Sequence, residues 1–140
     1  MEAKGTISKF IEENLKLIPE EFQEDIRNYL MAFIEFKLKK YEKALEFASK
    51  VNINYHNLKL TIKVLMLNCF YELDAFETAI SMADSYKHFL SNDDKIEKEL
   101  KEKYNGYLKI YLQLLKYKLN PETLNGFDLN CLRKEILDLN

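Results

Sequence analysis

The stretch LKKYEKALEFASKV at residues 38–51 is followed by LDAFETAISMADSY at residues 73–86, and the second repeats the pattern of the first. Sliding the chain against itself by 35 residues sets 28–51 beside 63–86, and six of those 24 positions are then identical. They are Leu30/Leu65, Met31/Met66, Leu38/Leu73, Glu42/Glu77, Ala44/Ala79 and Ala48/Ala83, and four further pairs, Phe36/Tyr71, Tyr41/Phe76, Leu45/Ile80 and Phe47/Met82, are close in shape. A period near 35 residues is the mark of stacked helical hairpins. Within each copy an aromatic residue precedes two alanines by three and seven positions, Tyr41, Ala44, Ala48 and then Phe76, Ala79, Ala83. That spacing puts all three on one helix face, where alanine lets a neighbouring helix approach closely.

Working outward, apolar residues three and four apart mark a helix before each copy. Phe22, Ile26, Leu30 and Phe33 mark the first, which starts after Pro19. Leu58, Ile62, Leu65, Cys69 and Leu73 mark the second, with Asn57 as its expected N-cap. Very tight turns, Lys39-Lys40 and Asp74-Ala75, join the two helices of each copy and force antiparallel neighbours. The expected organisation is a single domain over 1–140: a flanking helix at 5–17, hairpins at 18–53 and 57–91, and a degenerate C-terminal hairpin at 93–140. In that last hairpin Asp93 or Asp94 is expected to cap a long helix reaching about Lys118, and Leu129, Leu132, Ile136 and Leu137 a final one. Its polar stretch DDKIEKELKEK at 93–103 reads as a solvated face.

The composition agrees with an all-α chain of about six to seven helices. The 140 residues are 47% hydrophobic and 31% charged, with only three Gly and two Pro to interrupt helices. A formal net charge of −2 exerts no long-range pull on phosphate backbones or anionic lipid. The longest uncharged apolar run, VLMLNCFY at 64–71, is too short to span a bilayer. Cys69 and Cys131 lie far apart inside apolar patterns and read as buried thiols of a reducing, cytoplasmic compartment.

With Ala32, Leu38, Tyr41, Ala44 and Ala48 in one copy and Leu67, Leu73, Phe76, Ala79 and Ala83 in the other, the chain resembles the tetratricopeptide repeat family over residues 20–90, in its divergent bacterial form. It departs from the family pattern where Ala32 and Leu67 replace the first-helix glycine, Lys39 and Asp74 the turn glycine, and His56 and Ser91 the closing proline. The resemblance implies a right-handed α-solenoid whose first helices line a concave groove that binds a peptide or protein segment. Carried over residue by residue, the groove positions are Tyr29, Phe33, Phe36 and Lys37 from the first copy and Val64, Asn68, Tyr71 and Glu72 from the second. Only Lys37 and Asn68 match the subfamily that grips a C-terminal carboxylate, so no such clamp is expected. The aromatic residues either pack into the core beneath a flanking helix or stay partly exposed in the groove.

Catalytic chemistry finds little material. His56 and His88 stand near expected helix ends without a second ligand at helical spacing, and no GxSxG, glycine-rich phosphate loop or paired CxxC occurs. The expected function is therefore a non-catalytic protein-interaction module without cofactor or metal. The alternative is a structural or self-association module, a homodimer or the C-terminal part of a longer repeat array. A third reading, a helical repeat for single-stranded RNA, needs a basic groove where this chain carries Phe and Tyr.

Overall fold

The computed structural model describes residues 2–52, 56–121 and Lys134, and every extended regular element among them is a helix. In chain order these are α1 (Glu2–Leu15), α2 (Glu20–Lys37), α3 (Tyr41–Ser49), α4 (His56–Glu72), α5 (Phe76–Asn92) and α6 (Lys98–Leu119). The fold is all-α, with no strand among the described residues. The flanking helix, expected at 5–17, is α1, and the final helix expected around Leu129, Leu132, Ile136 and Leu137 lies outside the described residues. The chain divides into two compact units, Met1–Leu73 with α1 to α4 and Asp74–Asn140 with α5 and α6. The boundary falls in the second tight turn, so the hairpin expected at 57–91 contributes α4 to one unit and α5 to the other.

In the first unit α2 follows Pro19 and opens with Glu20 and Glu21, whose charges suit the positive end of the helix dipole. It packs against α1, α3 and α4, and α3 packs in turn against α4. The core is built where small residues meet branched ones: Ala32 of α2 and Ala44 and Ala48 of α3 close against Ile62, Leu65 and Cys69 of α4. Ile11 and Leu15 bury α1. Arg27 clasps Glu12 with two hydrogen bonds of 2.7 and 3.1 Å, joining α1 to α2. This arginine holds the Glu12 carboxyl below the usual range, chiefly through its hydrogen bond. The end of α3 is tied back to α2 by the Asn52 backbone N–H, which donates to Asp25 Oδ1 at 3.0 Å.

The tight turn expected at Lys39-Lys40 closes α2 with a left-handed residue that is not glycine. Lys39 has φ 60°, and its N–H donates to the Phe36 carbonyl while the Lys40 N–H donates to that of Glu35. This is the bonding pattern of a Schellman closure, where glycine is usual. Among the described non-glycine residues the other positive φ, 58°, belongs to Asp74. The two residues stand 35 apart and are paired by the repeat alignment.

In the second unit α5 buries Ala79, Ala83, Tyr86 and Leu90, and α6 buries Leu108, Ile110, Tyr111 and Leu115. The Tyr86 and Tyr104 rings meet edge-on at 6.2 Å, and Lys118 near the end of α6 reaches Asp74 at 2.9 Å and the face of Phe76 at 5.8 Å. These contacts make α5 and α6 an antiparallel pair. Burial pushes the Tyr86 and Tyr107 phenols well above their ordinary range.

Two expected caps are corrected. Asn57 lies inside the first turn of α4, which starts at His56. Neither Asp93 nor Asp94 caps α6: Asp93 ends α5 and its Oδ1 accepts the Lys95 N–H at 2.9 Å, with α6 starting only after Glu97. The reason is local, since an aspartate that bonds a backbone N–H two residues on makes a turn that competes with helix. Ile96, buried, anchors that turn.

Relieving the left-handed residue is expected to raise stability. Lys39→Gly should gain about 0.5–1 kcal/mol, and Asp74→Gly less, because aspartate tolerates this conformation better than lysine. Denaturant midpoints measure both, and a loss at Lys39 would contradict the strain argument. In the opposite direction, Ala44→Leu and Ala79→Leu should each cost about 1–3 kcal/mol through overpacking at a fully buried position. Unchanged thermal melts at both sites would refute the close helix approach.

Candidate functional site

The groove residues implied by the repeat resemblance all lie in the first unit, on α2 and α4. On α2, Tyr29, Phe33, Phe36 and Lys37 share a face about a quarter of a turn from the buried stripe of Asn28, Ala32 and Glu35. On α4, Val64, Asn68 and Tyr71 share a face with Thr61, three residues before Val64, and Glu72 stands at its edge. The two faces meet at a hydrogen bond. Tyr29 Oη lies 2.7 Å from Thr61 Oγ1, and the single Thr61 hydroxyl proton is directed to a backbone carbonyl one turn earlier, Leu58 O at 3.0 Å. Tyr29 is therefore the donor, and α2 and α4 present their two rows of candidate residues side by side.

Both alternatives left open by the sequence contribute to what the rings do. Tyr29, Phe33 and Phe36 are half-buried and pack against the alanine-lined core, so each gives one edge to the fold and keeps another toward solvent. Their orientations are fixed by neighbours: Tyr29 and Phe33 lie 5.0 Å apart and tilted, and Phe36 meets Tyr41 of α3 edge-on at 5.4 Å. Val64, Asn68 and Tyr71 are half-buried as well, whereas Lys37 and Glu72 are exposed. The assembled surface offers aromatic and aliphatic area, the half-buried Asn68 and one charge of each sign.

Beneath it lies the Cys69 thiol, fully buried. Burial pushes it up to about 11, with a smaller contribution from Glu72, so at neutral pH it is an unreactive thiol. Glu72 also raises the Tyr41 phenol, after the larger effect of burial. Cys131 lies outside the described residues, as does the side chain of His56, while His88 is exposed beside Asp84 at 3.6 Å. Among the described residues no cluster of three or more His, Cys, Asp or Glu is arranged to hold a metal, and no helix is long and apolar enough to cross a membrane.

Sequence reasoning missed Thr61, whose hydroxyl registers α2 on α4, and the buried polar residues Asn28 and Glu35, the latter 1% exposed. Their only signal is position: Asn28, Ala32 and Glu35 are spaced four and three apart, a helix stripe centred on the alanine. Compared with family models, with curated proteins and with solved structures, the chain matches none.

The bond that sets α2 beside α4 can be measured by a double-mutant cycle. Tyr29→Phe and Thr61→Val, alone and together, should give a coupling energy of about 0.5–1.5 kcal/mol in denaturant unfolding. Coupling indistinguishable from zero would remove the registering role given to this pair.

Proposed function

We propose that the chain is a non-catalytic interaction module that holds a peptide or protein segment across the α2 and α4 surface. The observation that carries this reading is the Tyr29 to Thr61 hydrogen bond, which sets a row of half-exposed aromatic rings beside Val64, Asn68 and Tyr71. Rings held by packing on one edge and open on the other are the usual anchors of protein interfaces. Asn68 is placed to pair with the backbone of an extended segment, and Lys37 and Glu72 stand as rim charges. The sealed Cys69 thiol favours binding over covalent chemistry on this surface.

The same reading takes the fold as tetratricopeptide-like, a stack of helical hairpins working in the cytoplasm. It is supported by two features that recur at the 35-residue period: the left-handed residues Lys39 and Asp74, and the alanine pairs Ala44/Ala79 and Ala48/Ala83, all four buried. A second reading, self-association, is favoured by the exposed Ile7 and Phe10 of α1 and Leu17 just after it, the last 83% exposed. Light scattering across a range of concentrations separates the two, since only self-association raises the mass.

Selection from a displayed peptide library tests the binding reading directly. Peptides enriched on the chain should lose about tenfold or more in affinity on Tyr71→Ala and on Asn68→Ala, and nothing on the control Lys43→Ala of α3. No enrichment, or affinity indifferent to Tyr71 and Asn68, would end it. A large fall in melting temperature at Tyr71 with affinity retained would assign that ring to the core alone.

A further inference from the structure

The second unit carries a groove between α5 and α6, of about 510 Å³, that the surface on α2 and α4 does not involve. Its charged walls are Lys87 on α5 and Lys109 and Lys116 on α6, and no carboxylate among the described residues lines it, in a chain whose formal net charge is −2. Among the described residues none of the three lysines takes part in an ion pair. Asp84, three residues before Lys87 on α5, lies 3.6 Å from His88. Leu112 lies on the floor, and Asn105 and Gln113 flank it one turn apart from Lys109 on either side.

The spread of these groups selects among anions. Lys109 and Lys116 are seven residues apart, which along a helix is roughly 10.5 Å. An extended chain advances about 3.3 Å per residue, so that span matches acidic side chains about three residues apart. A compact ion such as phosphate asks its ammonium groups to converge, whereas Lys109 and Lys116 leave α6 about two turns apart, with Leu112 between them in the lining. The two amides supply both donors and acceptors, as a peptide backbone requires. We propose that the α5/α6 groove binds an extended acidic peptide segment carrying an apolar residue between its carboxylates. It stands independently of the proposed surface on α2 and α4.

The test uses the whole chain and a fluorescently labelled, amidated peptide of alternating pairs of glutamate and leucine, followed by anisotropy. Saturable binding is expected, weakened by added salt because the lysines are exposed. The double reversal K109E with K116E should weaken it by more than about tenfold, and the neutral pair K109Q with K116Q by less. Lys43→Glu on α3, which changes the net charge by as much as the neutral pair does, serves as the control and should leave binding intact. Helicity by circular dichroism should be unchanged in all variants. The proposal is overturned if binding does not saturate, if a glutamine version of the peptide binds equally well, or if the Lys43 control loses as much. It is overturned as well if inorganic phosphate alone displaces the peptide at comparable concentration, which would make the groove a small-anion site.

Discussion

Ala44 and Ala48 have no side-chain atom beyond Cβ, and the first unit is assembled on that lack. Two helices can approach α3 closely only where its side chains are short, and there α2 contributes another alanine, Ala32. The space is then closed from α4 by Ile62, Leu65 and Cys69, larger groups that fill what the alanines leave open. Because a packed interior has little slack, this contact fixes the distance between α2 and α4 as well as their burial. The half-buried rings on α2 and the Tyr29 to Thr61 bond both depend on that distance.

The same economy appears in the turns. Only three residues, 38–40, join α2 to α3, and the left-handed Lys39 turns the chain there while the N–H groups of Lys39 and Lys40 satisfy the last carbonyls of α2. Lys39 and Asp74 accept that conformation without being glycine, at a cost per residue of order 1 kcal/mol. What offsets it at Lys39 is the packing just described, since a longer turn would let α3 slide away from α2. Lysine and aspartate also keep these exposed turns soluble beside Leu38 and Leu73, both of which are exposed.

Much of this was legible in the sequence because it rests on local, periodic signals. The alanines paired at 35 residues are all buried, and the turns fall where the gap between apolar patterns predicts them. The failures have a common cause. Apolar spacing marked α2 by Phe22, Ile26, Leu30 and Phe33, which are half-buried, whereas the deepest stripe of the helix is Asn28, Ala32 and Glu35. Helix periodicity ranks faces by apolarity, whereas tertiary packing ranks them by how close a neighbour can come, and an alanine flanked by two polar residues is invisible to the first criterion. The α6 start was misplaced because an aspartate pair reads equally as a cap or as a turn, and here the Asp93 to Lys95 bond decides for the turn. The candidate surface was legible only through resemblance. Nothing in the residue pattern alone specifies that Tyr29 will reach Thr61, which lies 32 positions away.

Half-burial has a consequence for the proposed surface that full exposure would not. A ring already held in one rotamer by Tyr41, as Phe36 is, or by a hydrogen bond, as Tyr29 is, has little side-chain entropy left to lose when a ligand covers it. The ordering cost is met once, during folding, and the open edges are then presented in fixed positions. The coupling also runs the other way, because a segment that binds only the folded arrangement of α2 and α4 stabilises it in proportion to its occupancy. Stability and the proposed recognition in the first unit thus draw on the same rings, and residues on the surface but outside the alanine core, Asn68 and the exposed Lys37 among them, are where the two can be separated.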